Sequence, residues 1–118
     1  MKRKILVADD EENIVNLVKL SLSPQFEVVA AKDGQEAVKV FEKEKPMLVL
    51  VDLMMPKMDG YAVCKAIKKI SNVPVVVLSA KDHRTDIMKG MGCGADDYIT
   101  KPFDPGELML RVEMNLLR

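Results

Sequence analysis

The feature that most constrains this sequence is a series of short apolar runs spaced at roughly regular intervals along the chain. Four strong runs and one weaker run occupy residues 5–8, 28–31, 48–51, 75–78 and 98–100. They are rich in β-branched residues and do not alternate with polar ones, which predicts strands buried on both faces. Strands of this kind are typical of a parallel sheet.

Segments of helical periodicity accompany the predicted strands. Their apolar stripes are Ile14, Leu17, Val18 and Leu22; Ala37, Val38 and Phe41; Val63, Ala66, Ile67 and Ile70; a shorter one at Ile87, Met88 and Met91; and Leu108, Val112 and Leu116. Alternating strands and helices predict an α/β fold of three layers, with a five-stranded parallel sheet, right-handed crossovers and five helices. A length of 118 residues fits one domain over residues 1–118.

Aspartates mark two of the predicted helix starts. Asp104 precedes Pro105 and is suited to the N-cap of the last helix. Asp59 precedes Gly60, and we interpret it as the cap of the third helix rather than a metal ligand.

Charge and cysteine content exclude several function classes. The chain has 18 basic and 18 acidic residues, which argues against direct nucleic-acid binding through a basic surface. Cys64 and Cys93 lack metal-site spacing and fit reduced thiols of a cytoplasmic protein. The first apolar run is too short for a signal peptide, and no run reaches the length of a membrane span. We therefore expect a cytoplasmic protein without membrane contact.

Chemically reactive side chains follow four of the predicted strands. Asp9 and Asp10 follow the first, Asp52 the third, Ser79 the fourth and Lys101 the fifth. Ligands of open parallel sheets bind at the carboxyl ends of strands, so these groups are expected to converge. Clustered carboxylates repel one another unless a cation is present, and oxygen ligands favour Mg²⁺. A carboxylate beside Mg²⁺ can attack phosphorus, while hydroxyl and ammonium groups stabilise the transferred phosphoryl oxygens.

Five motifs resemble those of response-regulator receiver domains of two-component signalling. They are ILVADDE (5–11), VDLMMP (51–56), MDG (58–60), VLSA (77–80) and GADDYITKPF (94–103). The resemblance covers essentially the whole chain. It implies a flavodoxin-like fold with strand order 2-1-3-4-5.

The resemblance also implies a metal site and an acceptor. Asp52 would accept a phosphoryl group from a sensor histidine kinase or a phosphotransfer protein. Asp10 would bind Mg²⁺ directly and Asp9 largely through water, with Asp52 and the backbone carbonyl of Met54 as further ligands.

Four further residues receive roles from the same resemblance. Ser79 and Lys101 would contact the phosphoryl oxygens, and a cis peptide would join Lys101 to Pro102. Tyr98 would change position together with Ser79. The surface of the fourth helix, fifth strand and fifth helix would then change and regulate an output domain or a target protein.

Two alternatives belong to other function classes. A phosphohydrolase working through an aspartyl phosphate would need a general acid two residues after Asp52, where this chain has Met54. Hydrolysis should then be slow, which suits a switch and not an enzyme. A receiver-like interaction module with weak or no phosphorylation is the second alternative. The presence of Asp52, Ser79 and Lys101 together argues against it.

The last third of the chain carries a weaker resemblance to receivers attached to winged-helix DNA-binding domains. These receivers form homodimers through the fourth helix, fifth strand and fifth helix. Asp97, Glu107 and Arg111 fit that pattern, whereas Ile87 and Glu113 stand where basic residues are expected. A homodimer and a standalone regulator both remain open.

Overall fold

A computed structural model describes residues 2–79, 92 and 94–117 of the chain. Five parallel strands form one sheet in the order β2-β1-β3-β4-β5. They are β1 (Arg3–Ala8), β2 (Phe26–Ala31), β3 (Leu48–Asp52), β4 (Val75–Ser79) and β5 (Asp97–Thr100). The predicted parallel sheet and its strand order are therefore confirmed.

Four helices lie within the described part of the chain. They are α1 (Glu12–Leu22), α2 (Gly34–Glu44), α3 (Gly60–Ile70) and α4 (Pro105–Leu116). The remaining predicted helix, which is fourth in chain order and carries Ile87, Met88 and Met91, lies outside the described residues. None of the helices in the described ranges is long and apolar enough to cross a membrane.

Aspartate caps begin three of these helices. The carboxylates of Asp33, Asp59 and Asp104 each accept a hydrogen bond from the backbone N–H three residues later, at 2.9, 3.0 and 2.8 Å. Each cap stabilises its helix by about 1 kcal/mol. The predicted caps at Asp59 and Asp104 are confirmed, and α1 differs because the side chain of its N-cap residue, Glu11, makes no cap hydrogen bond.

The two faces of the sheet carry separate apolar clusters. Successive strand residues point to opposite faces, so Leu6 packs toward α2 and α3 while Ile5 packs toward α1 and α4. This arrangement gives the three layers of a flavodoxin-like fold. Ile70, which the periodicity placed in a core stripe, is instead 59% exposed, because it is the last residue of α3 and no further helical turn covers it.

Candidate functional site

The pairing of β1 with β3 brings two acidic residues side by side. Ala8 lies opposite Val51 in the ladder, so Asp9 and Asp52 are neighbours at the carboxyl edge of the sheet. Both side chains are buried, whereas Asp10 is exposed. One carboxylate oxygen from each of these three aspartates lies within 4.8 Å of the other two.

Lys101 supplies the positive charge that the structure places in this acidic cluster. Its Nζ donates a hydrogen bond to Asp9 Oδ2 at 2.8 Å and lies 3.3 Å from Asp52 Oδ2. A third carboxylate, Glu11 Oε1, lies 3.5 Å away on the exposed side. The peptide bond that follows, to Pro102, is cis.

The shared ammonium does not balance the charge of the aspartates. Burial and then the negative charge of Asp9 raise the pKa of Asp52 to about 6, against the opposing effects of Lys101 and of the Met54 amide. Burial disfavours the charged form of Lys101, but its hydrogen bond to Asp9 and the charges of Asp52 and Asp9 outweigh this and raise its pKa. The site therefore carries an excess of negative charge.

The donor set fits a hard divalent cation. Asp9, Asp10 and Asp52 offer only oxygen atoms, and their uncompensated charge is relieved by a cation such as Mg²⁺. The backbone of Met54 lies beside this cluster, because its N–H donates to Asp52 Oδ1 at 3.2 Å. The Met54 side chain points away from the core and is 79% exposed.

The hydroxyl and the aromatic residue of the predicted set lie on β4 and β5. Asp52 pairs with Leu78, so the buried Ser79 is one position further along the neighbouring strand. Lys101 is the first residue after β5, and its N–H donates to the Ser79 carbonyl at 2.7 Å. This hydrogen bond places the Lys101 backbone beside Ser79. Tyr98 is half-buried against the apolar cluster on the α2 and α3 face. Asp9, Asp10, Asp52 and Lys101 thus meet at this edge and Ser79 ends the strand next to Asp52, whereas Tyr98 lies within β5, opposite Val77.

Sequence reasoning missed two residues at this edge. The contact of Glu11 with Lys101 was not expected, although a glutamate at an N-cap position is an unusual choice and was a usable signal. Gly60 was considered only as the residue that follows the predicted cap, Asp59. A Cβ at Gly60 would lie 2.2 Å from the backbone oxygen of Asp52, so the start of α3 packs directly on the backbone of β3.

Asp97 and Arg111, two of the three residues that fitted the dimer pattern, pair within one chain. Arg111 Nη1 donates to Asp97 Oδ1 at 2.8 Å. Asn115, which is buried although the periodicity did not place it in the core, donates to Asp97 Oδ2 and to the Arg111 carbonyl. This network fastens α4 to β5, and Ile87 lies outside the described residues.

Comparisons with known proteins converge on one family. Residues 5–113 match the family described as "Response regulator receiver domain". "Probable transcriptional regulator ycf27" of Porphyridium aerugineum is 48% identical over 118 residues, covering 99% of this chain and 49% of that protein. "Alkaline phosphatase synthesis transcriptional regulatory protein PhoP" of Bacillus subtilis is 47% identical over 120 residues, covering 100% and 50%. The chain spans about half the length of the curated relatives it matches.

Solved structures agree with this assignment. The BeF3-activated receiver domain of DrrB, a Thermotoga maritima protein, superposes with a TM-score of 0.93 at 34% identity, over the full length of both chains. The BeF3-activated N-terminal receiver domain of Klebsiella pneumoniae RstA gives 0.93 at 31% identity, covering 98% of this chain and 100% of that one.

Proposed function

Because this chain belongs to the response regulator receiver domain family, we propose that it is a signalling switch in which Asp52 accepts a phosphoryl group in a Mg²⁺-dependent reaction. The observation that carries the proposal is the position of Lys101 between two buried aspartates, with three carboxylates close enough to share one cation. Residues 1–118 would form one receiver domain.

The residues at the carboxyl edge would have different roles in phosphoryl transfer. The ionised carboxylate of Asp52 is the nucleophile. Asp9, Asp10, Asp52 and the backbone carbonyl of Met54 would hold Mg²⁺, which neutralises phosphoryl charge when bound. The Lys101 ammonium lies 3.3 Å from Asp52 and can move from the carboxylates to the transferred oxygens, joined by the Ser79 hydroxyl.

The switch would run from the phosphoryl group to the surface of β5 and α4. Ser79 would move toward the modified Asp52, and the half-buried Tyr98 would repack on the strand next to it. The same surface, with the segment between β4 and β5, would contact an output domain or target protein, or a second copy of the chain. A sensor histidine kinase or a phosphotransfer protein would supply the phosphoryl group. DNA contact, where the relatives' names imply regulation of transcription, would fall outside this chain.

Slow loss of the phosphoryl group distinguishes this switch from an enzyme that turns over. Met54 lies two residues after the acceptor, and its thioether has no proton to transfer to or from water. An aspartyl phosphate on Asp52 would therefore hydrolyse more slowly than it forms, and it would persist long enough to act as a signal.

Phosphoryl transfer to the isolated chain tests the proposal. Incubation with Mg²⁺ and an acyl phosphate should add one phosphoryl group to the wild type and none to Asp52→Asn, as measured by intact mass. Absence of the added mass in the wild type would contradict the proposal and favour a receiver-like interaction module. Full-rate addition to Asp52→Asn would contradict the assignment of the acceptor.

A further inference from the structure

Glu11 stands at the start of α1, but its side chain does not cap the helix. Its backbone is extended at the N-cap of α1, yet its side chain makes no cap hydrogen bond. Glutamate is a poor choice for this position, where Asp, Asn, Ser and Thr are preferred. The backbone N–H of Glu11 donates to Asp9 Oδ1 at 2.9 Å, which anchors the residue beside the acidic cluster. Its carboxylate is therefore available for a role other than capping.

That carboxylate is the outermost of the three that approach Lys101. Glu11 Oε1 lies 3.5 Å from Lys101 Nζ, and its side chain is 58% exposed. The Asp9 and Asp52 side chains, on the inner side of the same ammonium, are almost completely buried. Glu11 thus places a negative charge between solvent and the cation that a phosphoryl group must reach.

We propose that Glu11 determines which small phosphodonors this site accepts, by repelling donors in proportion to their negative charge. The inference rests on the proposed function of Asp52 and adds a specificity-determining residue to it. Because Coulomb repulsion is proportional to the charge of the incoming molecule, a doubly anionic acyl phosphate is disfavoured more than a singly charged zwitterionic phosphoramidate. Removing the Glu11 charge should change the preference between donors and not only the overall rate.

Both reactions form the same bond and differ in the group that leaves. An Asp52 carboxylate oxygen attacks phosphorus, and the new O–P bond takes the place of the bond to the leaving group. The acyl phosphate releases its carboxylate with the bonding electron pair. The phosphoramidate, protonated on nitrogen, releases ammonia, so no further co-reactant is needed.

Substitution of Glu11 by glutamine tests the proposal. In Glu11→Gln, the rate with acetyl phosphate should rise about fivefold and the rate with phosphoramidate about twofold, at low ionic strength with saturating Mg²⁺. Glu11→Lys should increase the ratio of the acetyl phosphate rate to the phosphoramidate rate further, and added salt should reduce the effect of either substitution on that ratio. The readout is the ratio of the two rate constants, measured by intact mass against time.

Glu12→Gln is the matched control. Glu12 is exposed in the first turn of α1 and borders the same cavity as Asp9 and Asp10, but it makes no ion pair with Lys101 among the described residues. Its substitution removes the same charge and should leave the donor ratio close to that of the wild type. Equal acceleration with both donors in Glu11→Gln, no acceleration, or an equal effect of Glu12→Gln would overturn the proposal for Glu11 alone. A wild type that takes a phosphoryl group from neither donor would overturn the function of Asp52 as well.

Discussion

The carboxylate of Asp52 is buried by the protein itself, without any bound ligand. Its carboxylate lies between Asp9 and Lys101, and the ammonium of Lys101 is nearer to Asp9 than to Asp52. Burial and the Asp9 charge raise the pKa of Asp52 to about 6. Without a bound cation the protein therefore tolerates a protonated Asp52 better than an ionised one, although the proposed phosphoryl transfer requires the ionised form.

This imbalance predicts a pH-dependent stability in the absence of divalent cations. Because the pKa of Asp52 is raised in the folded state from 3.8 to about 6, its stabilising contribution is present at low pH and is lost as the pH rises through that interval. Asp52→Asn should lack this loss and should be more stable than the wild type at pH 7, by roughly 1 to 3 kcal/mol.

Urea unfolding of both proteins from pH 4 to pH 7, with chelator present, measures the difference. Titrating groups remote from the site affect the two proteins alike, so the gap between the curves reports Asp52 together with its coupling to Asp9 and Lys101. A gap that does not change over this range would contradict the prediction.

At the scale of elements, the connection from β3 to α3 is held by close backbone contacts. A Cβ at Gly60 would lie 2.2 Å from the Asp52 carbonyl oxygen, and one at Gly34 of α2 would lie 2.0 Å from the Met58 carbonyl oxygen. Lys57 has a positive φ of 68° and pairs with Asp33 at 3.6 Å. The loop that carries Met54 is thus confined between one strand and the starts of two helices.

Gly60→Ala should destabilise the protein although alanine is the better helix former. The nearest obstacles to the new methyl group are backbone atoms of Asp52 and Leu53, which cannot rotate away as a side chain would. We expect a loss of about 2 kcal/mol in the free energy of unfolding, measured by urea denaturation.

Gly92→Ala provides the comparison, because no atom of the described residues, its own chain neighbours aside, lies within 4 Å of the position that its Cβ would occupy. Its free energy of unfolding should change by less than about 0.5 kcal/mol. Similar losses in the two variants would show that close packing at Gly60 is not the cause.

For the whole molecule, the most important property for the proposed function is the clustering of acidic side chains at the carboxyl edge of the sheet. The chain has equal numbers of acidic and basic residues, which argued against a basic surface for nucleic-acid binding. At the carboxyl edge, however, Asp9, Asp52 and Glu11 share the ammonium of Lys101, and Asp10 adds a further carboxylate beside Asp9 and Asp52. Overall neutrality therefore coexists with a local deficit of positive charge, and a bound cation would stabilise the entire fold by filling it.

Mg²⁺ should raise the midpoint of thermal unfolding, and a chelator should reverse the effect. At a concentration 100 times its dissociation constant, a ligand of the folded state adds about 2.7 kcal/mol to the free energy of unfolding. Asp10→Asn should reduce the Mg²⁺-dependent shift at little cost to the metal-free protein, since Asp10 is exposed. Equal shifts in the wild type and Asp10→Asn would argue against Asp10 as a ligand.

The sequence by itself determined the features that depend on neighbouring residues. The apolar runs predicted all five strands because a strand buried on both faces leaves a local pattern. Asp59 and Asp104 indicated helix starts, because the side chain of an N-cap residue accepts a hydrogen bond from a backbone N–H only three residues ahead. The topology of parallel strands then indicated that Asp52 and Lys101 would meet at one edge.

Only the tertiary structure decided how those residues share charge and space. Lys101 lies 2.8 Å from Asp9, a residue 92 positions away, and Glu11 reaches the same ammonium from the exposed side. Gly60 packs directly on the backbone of Asp52, which its place after the Asp59 cap did not indicate. Periodicity shows which face of an element is buried. Ångström distances between side chains of different strands depend instead on ladder register and helix packing, which arise only when the whole chain is folded.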